Sequence, residues 1–412
     1  MQGFFRRLRG DVRQLFLRKD PAELFILAVL TCLLVFLIRV LSGGAETFLS
    51  IFHLHGSDLF MDFFNSIRDA SHGEGAYTER HVMYPPMANL LLWLVARFFP
   101  ASYLDTAGSA CRTWVNYPGA ILGFFCLLAG VLILFATVLL REPYARRKRR
   151  LLAVSVLFSL PFVFLYERGN TVFFALLFVL IFMQNYDSES RAAREAGLIS
   201  LAFAFSLKLY PAIFGAVLLT DRRYREAGRC ALYGILMLFL PSFAFGGPVS
   251  IFWSMKDVLS YSEHTSLPFL DFMAGIGFSA PALKVMLICM YTFVFLFFTI
   301  SAFFPRRRFV TYLFGACCCL MTPSVFSAYN WALVLPGLLL FFRTEKLRGV
   351  NIAYFAAAVL PFCLYIDKIY QDNIIIACIA VLALLCAGES VCGAVRYFRR
   401  GKAPGRSGEE IL

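Results

Sequence analysis

The sequence predicts an all-α polytopic membrane protein, a single bundle of transmembrane helices. At 60% hydrophobic and 16% charged, its 412 residues are too apolar for one water-soluble core. Apolar runs at 24–41, 118–140 and 284–303 approach or exceed the roughly 20 residues that a helix needs to cross hydrocarbon. The Lys and Arg residues sit in clusters between such runs, so the net charge of +13 reads as membrane topology and not as nucleic-acid binding.

Those clusters fix the order of the elements. They lie at 6–19, 141–150, 191–194, 222–229, 306–308, 343–348 and 396–406, and they hold 29 of the 39 Lys and Arg residues. Placing all seven in the cytoplasm satisfies the positive-inside rule and puts both termini there. Residues 1–23 are then a basic amphipathic N-terminus, 24–395 one membrane domain, and 396–412 a basic tail. The first apolar run is too long for a removable signal peptide, and no small-residue cleavage site follows it.

A full span over 84–100 would place the next helix, 118–140, so that it exported the basic run at 146–150. "YPPMANLLLWLVARFFP" is therefore expected to lie in the outer interface, with its prolines in the permitted first helical turn. This leaves a long external region, 43–117. Spans follow at 151–166, 171–184, 229–245, 284–303, 309–323, 329–342, 350–366 and 372–394, with a second external loop at 246–283. Residues 197–220 have basic flanks on both sides, so they cross twice or enter and return; a helical hairpin broken at "KLYP", where Pro211 disfavours helix before it, is the simplest solution. Irregular backbone at that depth requires protein or a watery cavity around it. About ten to twelve transmembrane helices result, and no internal repeat is visible.

The polar inventory collects on the external side. His53, His55, His72, His81 and His264 all fall there, with Asp58, Asp62, Glu167, Arg168, Asn170, Asp271 and Asn330. Chemistry on that face is cut off from cytoplasmic nucleotide sugars and needs its activated donor on a lipid. Asp58 and Asp62, spaced i, i+4, would share one face of a short helix, with Phe60, Phe63 and Phe64 turned to the bilayer. They are candidates for a carboxylate that takes a proton from an incoming hydroxyl; the competing reading is solvated interface residues or helix caps. Lys208, an ionisable group in an apolar segment, is a candidate phosphate contact, against snorkelling or a pair with an acid such as Glu167. In "YERGN", Arg168 suits bidentate phosphate binding and Asn170 a helix cap or a sugar hydroxyl; a turn with an interface salt bridge is the alternative. His264 and Asp271 are candidates for polar substrate contact, against plain loop polarity. The alternating His53 and His55 lack a third ligand at metal spacing. The twelve cysteines lie almost wholly in apolar runs and suggest neither disulfides nor zinc.

An acid in the first external loop, then "MDFFNSI", "GEGAY" and "YPP" opening an apolar helix, resembles the polyprenol-phosphate-sugar-dependent glycosyltransferases of family 87, members of the membrane-embedded GT-C superfamily. "ERGNTVFFALL" is similar to that family's Gly-Gln/Asn element, and "LKLYPAIFGAVLLTDRRYREA" to its Lys-x-x-Pro helix and basic loop, in the same order over about residues 20–345. The resemblance implies a GT-C fold with an outer-face site in a bacterial inner or plasma membrane. It implies transfer of a sugar, a mannose-like hexose, from a polyprenyl phosphate to a glycan, lipid or protein acceptor. By position, Asp62 matches the general base, Tyr84, Pro85 and Pro86 the motif shaping the cavity floor, and Arg168, Asn170 and Lys208 polar positions near the lipid phosphate. The Asp58-x-x-x-Asp62 spacing departs from a compact acidic pair and leaves either carboxylate as the base. No cofactor is implied, and nothing in the spacing supports a divalent metal. A transporter or flippase of a lipid-linked saccharide is the rival, since it too has many helices and buried charge.

Overall fold

A computed structural model describes residues 20–52, 59–104, 116–264, 277, 279–304, 306–321 and 327–399, and among them every regular element is a helix. In chain order these are α1 (Pro21–Phe52), α2 (Met61–Ala70), α3 (Gly75–Thr78), α4 (Pro86–Ala96), α5 (Ala101–Leu104), α6 (Pro118–Leu139), α7 (Arg146–Leu157), α8 (Leu160–Arg168) and α9 (Val172–Asn185). Then come α10 (Arg191–Leu207), α11 (Ala216–Thr220), α12 (Tyr224–Phe239), α13 (Val249–His264), α14 (Ala280–Ser301), α15 (Arg308–Leu320), α16 (Leu335–Thr344), α17 (Val350–Val359) and α18 (Lys368–Arg399).

Fewer helices than the sequence suggested are long enough to span a bilayer. Five described stretches have the length and hydropathy: α1, α6, α12 with its 3₁₀ continuation (Tyr224–Phe245), α14 and α18. The pair α7 and α8, bent by 51°, gives a sixth if it counts as one span. The other expected spans are short apolar helices, and proline interrupts the regular ladder at several points along the chain. Pro211, Pro241 and Pro361 each stand in the first turn of a 3₁₀ segment, where the missing N–H interrupts the regular ladder. The short helices occupy the middle. Every residue from Phe309 to Leu320 in α15 is buried, as are most of α9 and the 3₁₀ segment Ala328–Val334, where Trp331 donates to the Ala358 carbonyl at 3.1 Å. The long helices leave large apolar side chains exposed, among them Leu34, Leu122, Leu232, Phe293 and Leu384, as a bilayer-facing surface requires.

The broken segment at 197–220 does turn back. α10 ends where Lys208 takes extended dihedrals, the chain continues as the 3₁₀ segment Tyr210–Gly215, and Gly215 returns alongside Leu201. Beyond it, Asp221 accepts a hydrogen bond from Tyr186 at 3.1 Å, and Arg223 donates to the Tyr186 carbonyl at 3.1 Å, so the return reaches the level at which α10 began. Lys208 is the apex.

Ion pairs separate the two ends of the bundle. At one end Lys148 meets Asp20, Arg308 bridges Asp187 and Asp221, Arg307 joins Glu345 and Glu389, and Arg229 pairs with Glu195. These contacts tie together the elements that carry the basic clusters. The side chain of Glu142, fully buried, receives two hydrogen bonds from Arg343. At the other end Arg39 lies 3.5 Å from Asp367, Ser50 donates to Asp367, and the buried Gln371 donates to the Ile51 carbonyl. The Gln371 contact ties the end of α1 to the start of α18; the helix α1 runs to Phe52, past a kink at Gly44, where the sequence suggested a break near 42.

Removing one partner of the Glu142–Arg343 pair strands the other charge out of water. Arg343→Met should lower the stability of the detergent-solubilised protein by about 3 kcal/mol, and adding Glu142→Leu should recover most of the loss. Thermal unfolding of the single and double variants measures this; equal melting of wild type and Arg343→Met would show the pair to be dispensable.

Candidate functional site

The polar chamber is built at the end opposite the basic clusters, from five pieces of chain. α2 contributes Asp62 and Ser66, the segment before α4 contributes Tyr84, and the turn between α8 and α9 contributes Arg168, Asn170 and Thr171. The hairpin apex supplies Lys208 and Tyr210, and the segment Ala328–Val334 supplies Tyr329.

Gly169 makes the meeting possible. It closes α8 in the left-handed conformation, φ 64°, and its N–H bonds the Leu165 carbonyl at 2.9 Å, a helix end that glycine adopts without strain. A Cβ on Gly169 would sit 2.7 Å from the Phe63 Cβ and 3.1 Å from Phe124. The backbone of the α8–α9 turn therefore lies directly against α2. The incoming strand is tied by the Phe60 N–H, which donates to the Glu167 carbonyl at 2.6 Å; Phe60 itself has φ 59°. Phe63 and Phe64 do not face the bilayer, as the sequence suggested. Both are buried in an aromatic cluster with Phe99, Tyr103 and Phe124, which is what holds α2 in place.

Asp62 is consequently gripped on both oxygens. Arg168 Nη2 donates to Oδ1 at 2.7 Å and Asn170 Nδ2 donates to Oδ2 at 2.6 Å. Asn170 also contacts the Tyr329 hydroxyl at 3.3 Å, while its Oδ1 accepts from the Val172 N–H at 2.9 Å and so caps α9. Of the two sequence readings of Asn170 the cap is present, and its amide donor goes to Asp62 in place of a sugar. Arg168 likewise meets a carboxylate where the sequence suggested a phosphate. Asp62 stands in the first turn of α2.

Lys208 has no hydrogen-bond or ion-pair partner among the described residues. Its Nζ sits 4.2 Å from the centre of the Tyr84 ring, a cation–π contact, and the acid whose charge reaches it is Asp62, not Glu167. Burial pushes the Tyr84 hydroxyl up to about 12, with the charge of Asp62 adding to the rise, so it stays a neutral donor flanked by Ser66 and Thr171. The Tyr84 carbonyl accepts from the Tyr77 hydroxyl at 2.8 Å and from Ser254 at 3.3 Å. Pro85 and Pro86 are buried, and Pro86 starts α4 as expected. Among the described residues, the buried polar groups without a hydrogen-bond partner include the Tyr210 hydroxyl and the whole amide of Asn89 on α4.

Five of the sequence candidates, Asp62, Tyr84, Arg168, Asn170 and Lys208, are thus brought together. Asp58 and Asp271 lie outside the described residues, as do His53 and His55; the helix that carries Asp62 begins at Met61. His264 ends α13, and its side chain is likewise outside what is described. The sequence reading missed Tyr329, Thr171 and Ser66. Tyr329 lies in "SAYN" just after a proline break, a signal that could have been read as a second irregular stretch; Thr171 and Ser66 carry no distinguishing pattern. Among the described residues no three His, Cys, Asp or Glu side chains converge as metal ligands would. Comparison of the chain with protein-family models, curated proteins and solved structures found no match.

Gly169→Ala forces a left-handed alanine and drives Cβ into Phe63. The expected loss is about 1–2 kcal/mol from the backbone alone, with more from the displaced α2, read as a lower melting temperature. Unchanged melting and unchanged tyrosine fluorescence would mean that α2 and the α8–α9 turn are not in contact.

Proposed function

We propose that the chain is a GT-C type membrane glycosyltransferase, similar in its site to family 87, which moves a mannose-like hexose from a polyprenyl phosphate to a glycan, lipid or protein acceptor. The observation that carries this reading is the pairing, in one half-buried chamber, of an anchored carboxylate with an uncommitted ammonium. Asp62 is held by Arg168 and Asn170, and Lys208 lies over the Tyr84 ring with no carboxylate at ion-pair distance among the described residues.

The residues divide the work of a single displacement. The acceptor oxygen forms its bond to the anomeric carbon as the bond from that carbon to the phosphate oxygen breaks, and the configuration inverts. The phosphate leaves with the electron pair and is stabilised by Lys208, helped by the buried hydroxyls of Tyr84 and Tyr210. The acceptor proton goes to Asp62. Arg168 and Asn170 fix the direction of the Asp62 carboxylate, and an acceptor hydroxyl becomes strongly acidic once its oxygen is bonded to carbon. A well-aimed carboxylate then suffices for a late proton transfer. Arg168 acts here as a positioning residue for the carboxylate. With the basic clusters placed in the cytoplasm the chamber faces outward, the side on which a lipid-borne donor is needed.

The test incubates purified protein in detergent with radiolabelled polyprenyl-phosphate sugars and candidate acceptors. Asp62→Asn should lower label transfer by about 10²–10⁴-fold, and Lys208→Met should weaken donor use with the acceptor KM little changed. Full activity of Asp62→Asn with loss in Asp58→Asn would move the base to Asp58. Lipid movement that requires sealed vesicles, without transfer in detergent, would replace the enzyme with a flippase.

A further inference from the structure

A second polar feature lies at the opposite end of the bundle, where α10 and α12 start side by side. The chain reverses at Lys208 and returns through α11, so α10 and α12 run in the same direction and present their N-termini together. Between them opens a groove of about 580 Å³ lined by Arg191, Arg225, Glu226, Arg229 and Leu232. The acid in its lining, Glu226, and the neighbouring Glu195 are already engaged. Glu195 binds Arg229 and accepts from Tyr233 at 2.9 Å, and Glu226 lies 3.6 Å from the same arginine. Arg191 and Arg225 have no carboxylate within ion-pair distance among the described residues, so two guanidinium groups face the groove uncompensated, reinforced by the positive ends of two helices.

The groove also has an apolar continuation. Positions 225, 229, 232, 236 and 240 fall on one stripe of α12 and its 3₁₀ extension, turning from arginine to Leu232, Leu236 and Leu240. That stripe leads into a second groove of about 240 Å³, which includes Met87, Met237 and Leu240 and no charged residue. From Arg229 to Leu240 the helix rises about 16 Å, close to half of the hydrocarbon thickness and so to one leaflet. We propose that this groove is a binding site for an anionic phospholipid, its phosphate between Arg191 and Arg225 and one acyl chain along the leucine stripe. Basic pockets at the ends of membrane helices are the sites that the headgroup charge of such lipids favours. The site is separate from the chamber at Asp62 and does not depend on what the chamber does.

The experiment uses the full chain in a neutral detergent, with native mass spectrometry reading the bound lipid. Phosphatidylglycerol should be retained in preference to phosphatidylcholine with the same acyl chains. Arg191→Gln and Arg225→Gln should each weaken its retention about fivefold, while Leu232→Trp should weaken it without changing charge. Glycerol 3-phosphate at equal concentration should not displace it. Equal retention of the two lipids by the wild-type protein, or wild-type retention by both arginine variants, would overturn the proposal. Displacement by glycerol 3-phosphate would assign the groove to a soluble phosphate compound and overturn the lipid. The lipid comparison on the wild-type chain decides the matter even if an arginine variant fails to fold.

Discussion

The chamber depends on one steric constraint, the contact between the backbone of Gly169 and the side chain of Phe63. With 2.7 Å available where a Cβ would stand, no other residue lets α2 approach the α8–α9 turn so closely. The flanking residues then inherit their partners. Arg168 precedes the glycine and Asn170 follows it, and both reach the carboxylate of Asp62, which itself precedes Phe63. A burial effect and a backbone conformation together set an electrostatic arrangement. The aromatic cluster around Phe64 and Phe124 supplies the force that presses the two pieces together.

The bundle divides its helices by environment. A helix bathed in lipid must satisfy its backbone over the whole hydrocarbon thickness, which sets a minimum length. A helix enclosed by other helices meets no such requirement, so α9, α15 and α16 can be short, and proline can interrupt the chain beside them. The irregular stretches this permits, at Lys208 to Gly215 and at Ala328 to Val334, are the ones that bring Lys208 and Tyr329 to the chamber.

Much of this was legible in the sequence, and the reasons are specific. Hydropathy and the placement of arginine identify a membrane protein, and Pro211 with basic flanks on either side identifies the turn-back at Lys208. Counting basic residues put Asp62, Arg168 and Asn170 on one side of the membrane, the side on which the structure brings them together with Tyr84 and Lys208. What stayed hidden is of two kinds. The burial of Phe63 and Phe64 was not legible, because an amphipathic aromatic helix looks the same whether its partner is lipid or protein. The use of Arg168 and Asn170 on Asp62 was hidden as well, since a pair more than 100 positions apart leaves no local pattern. Helix length was overestimated where an apolar run conceals a proline break.

The two ends of the bundle also differ in how they answer to the surrounding solution. The end that carries the basic clusters is fastened by ion pairs, several of them through side chains such as Arg308 and Arg307 that stand partly in water. Salt weakens such partly exposed contacts as the Debye length shrinks, from about 10 Å at 0.1 M to about 3 Å at 1 M. The chamber end has its own Arg168–Asp62 and Arg39–Asp367 pairs, but packed rings and a glycine, which salt does not screen, hold most of it. Ionic strength therefore acts as a selective solvent for this fold, loosening the basic end more than the chamber end, and purification in high salt would yield a molecule whose stiffness is no longer evenly shared.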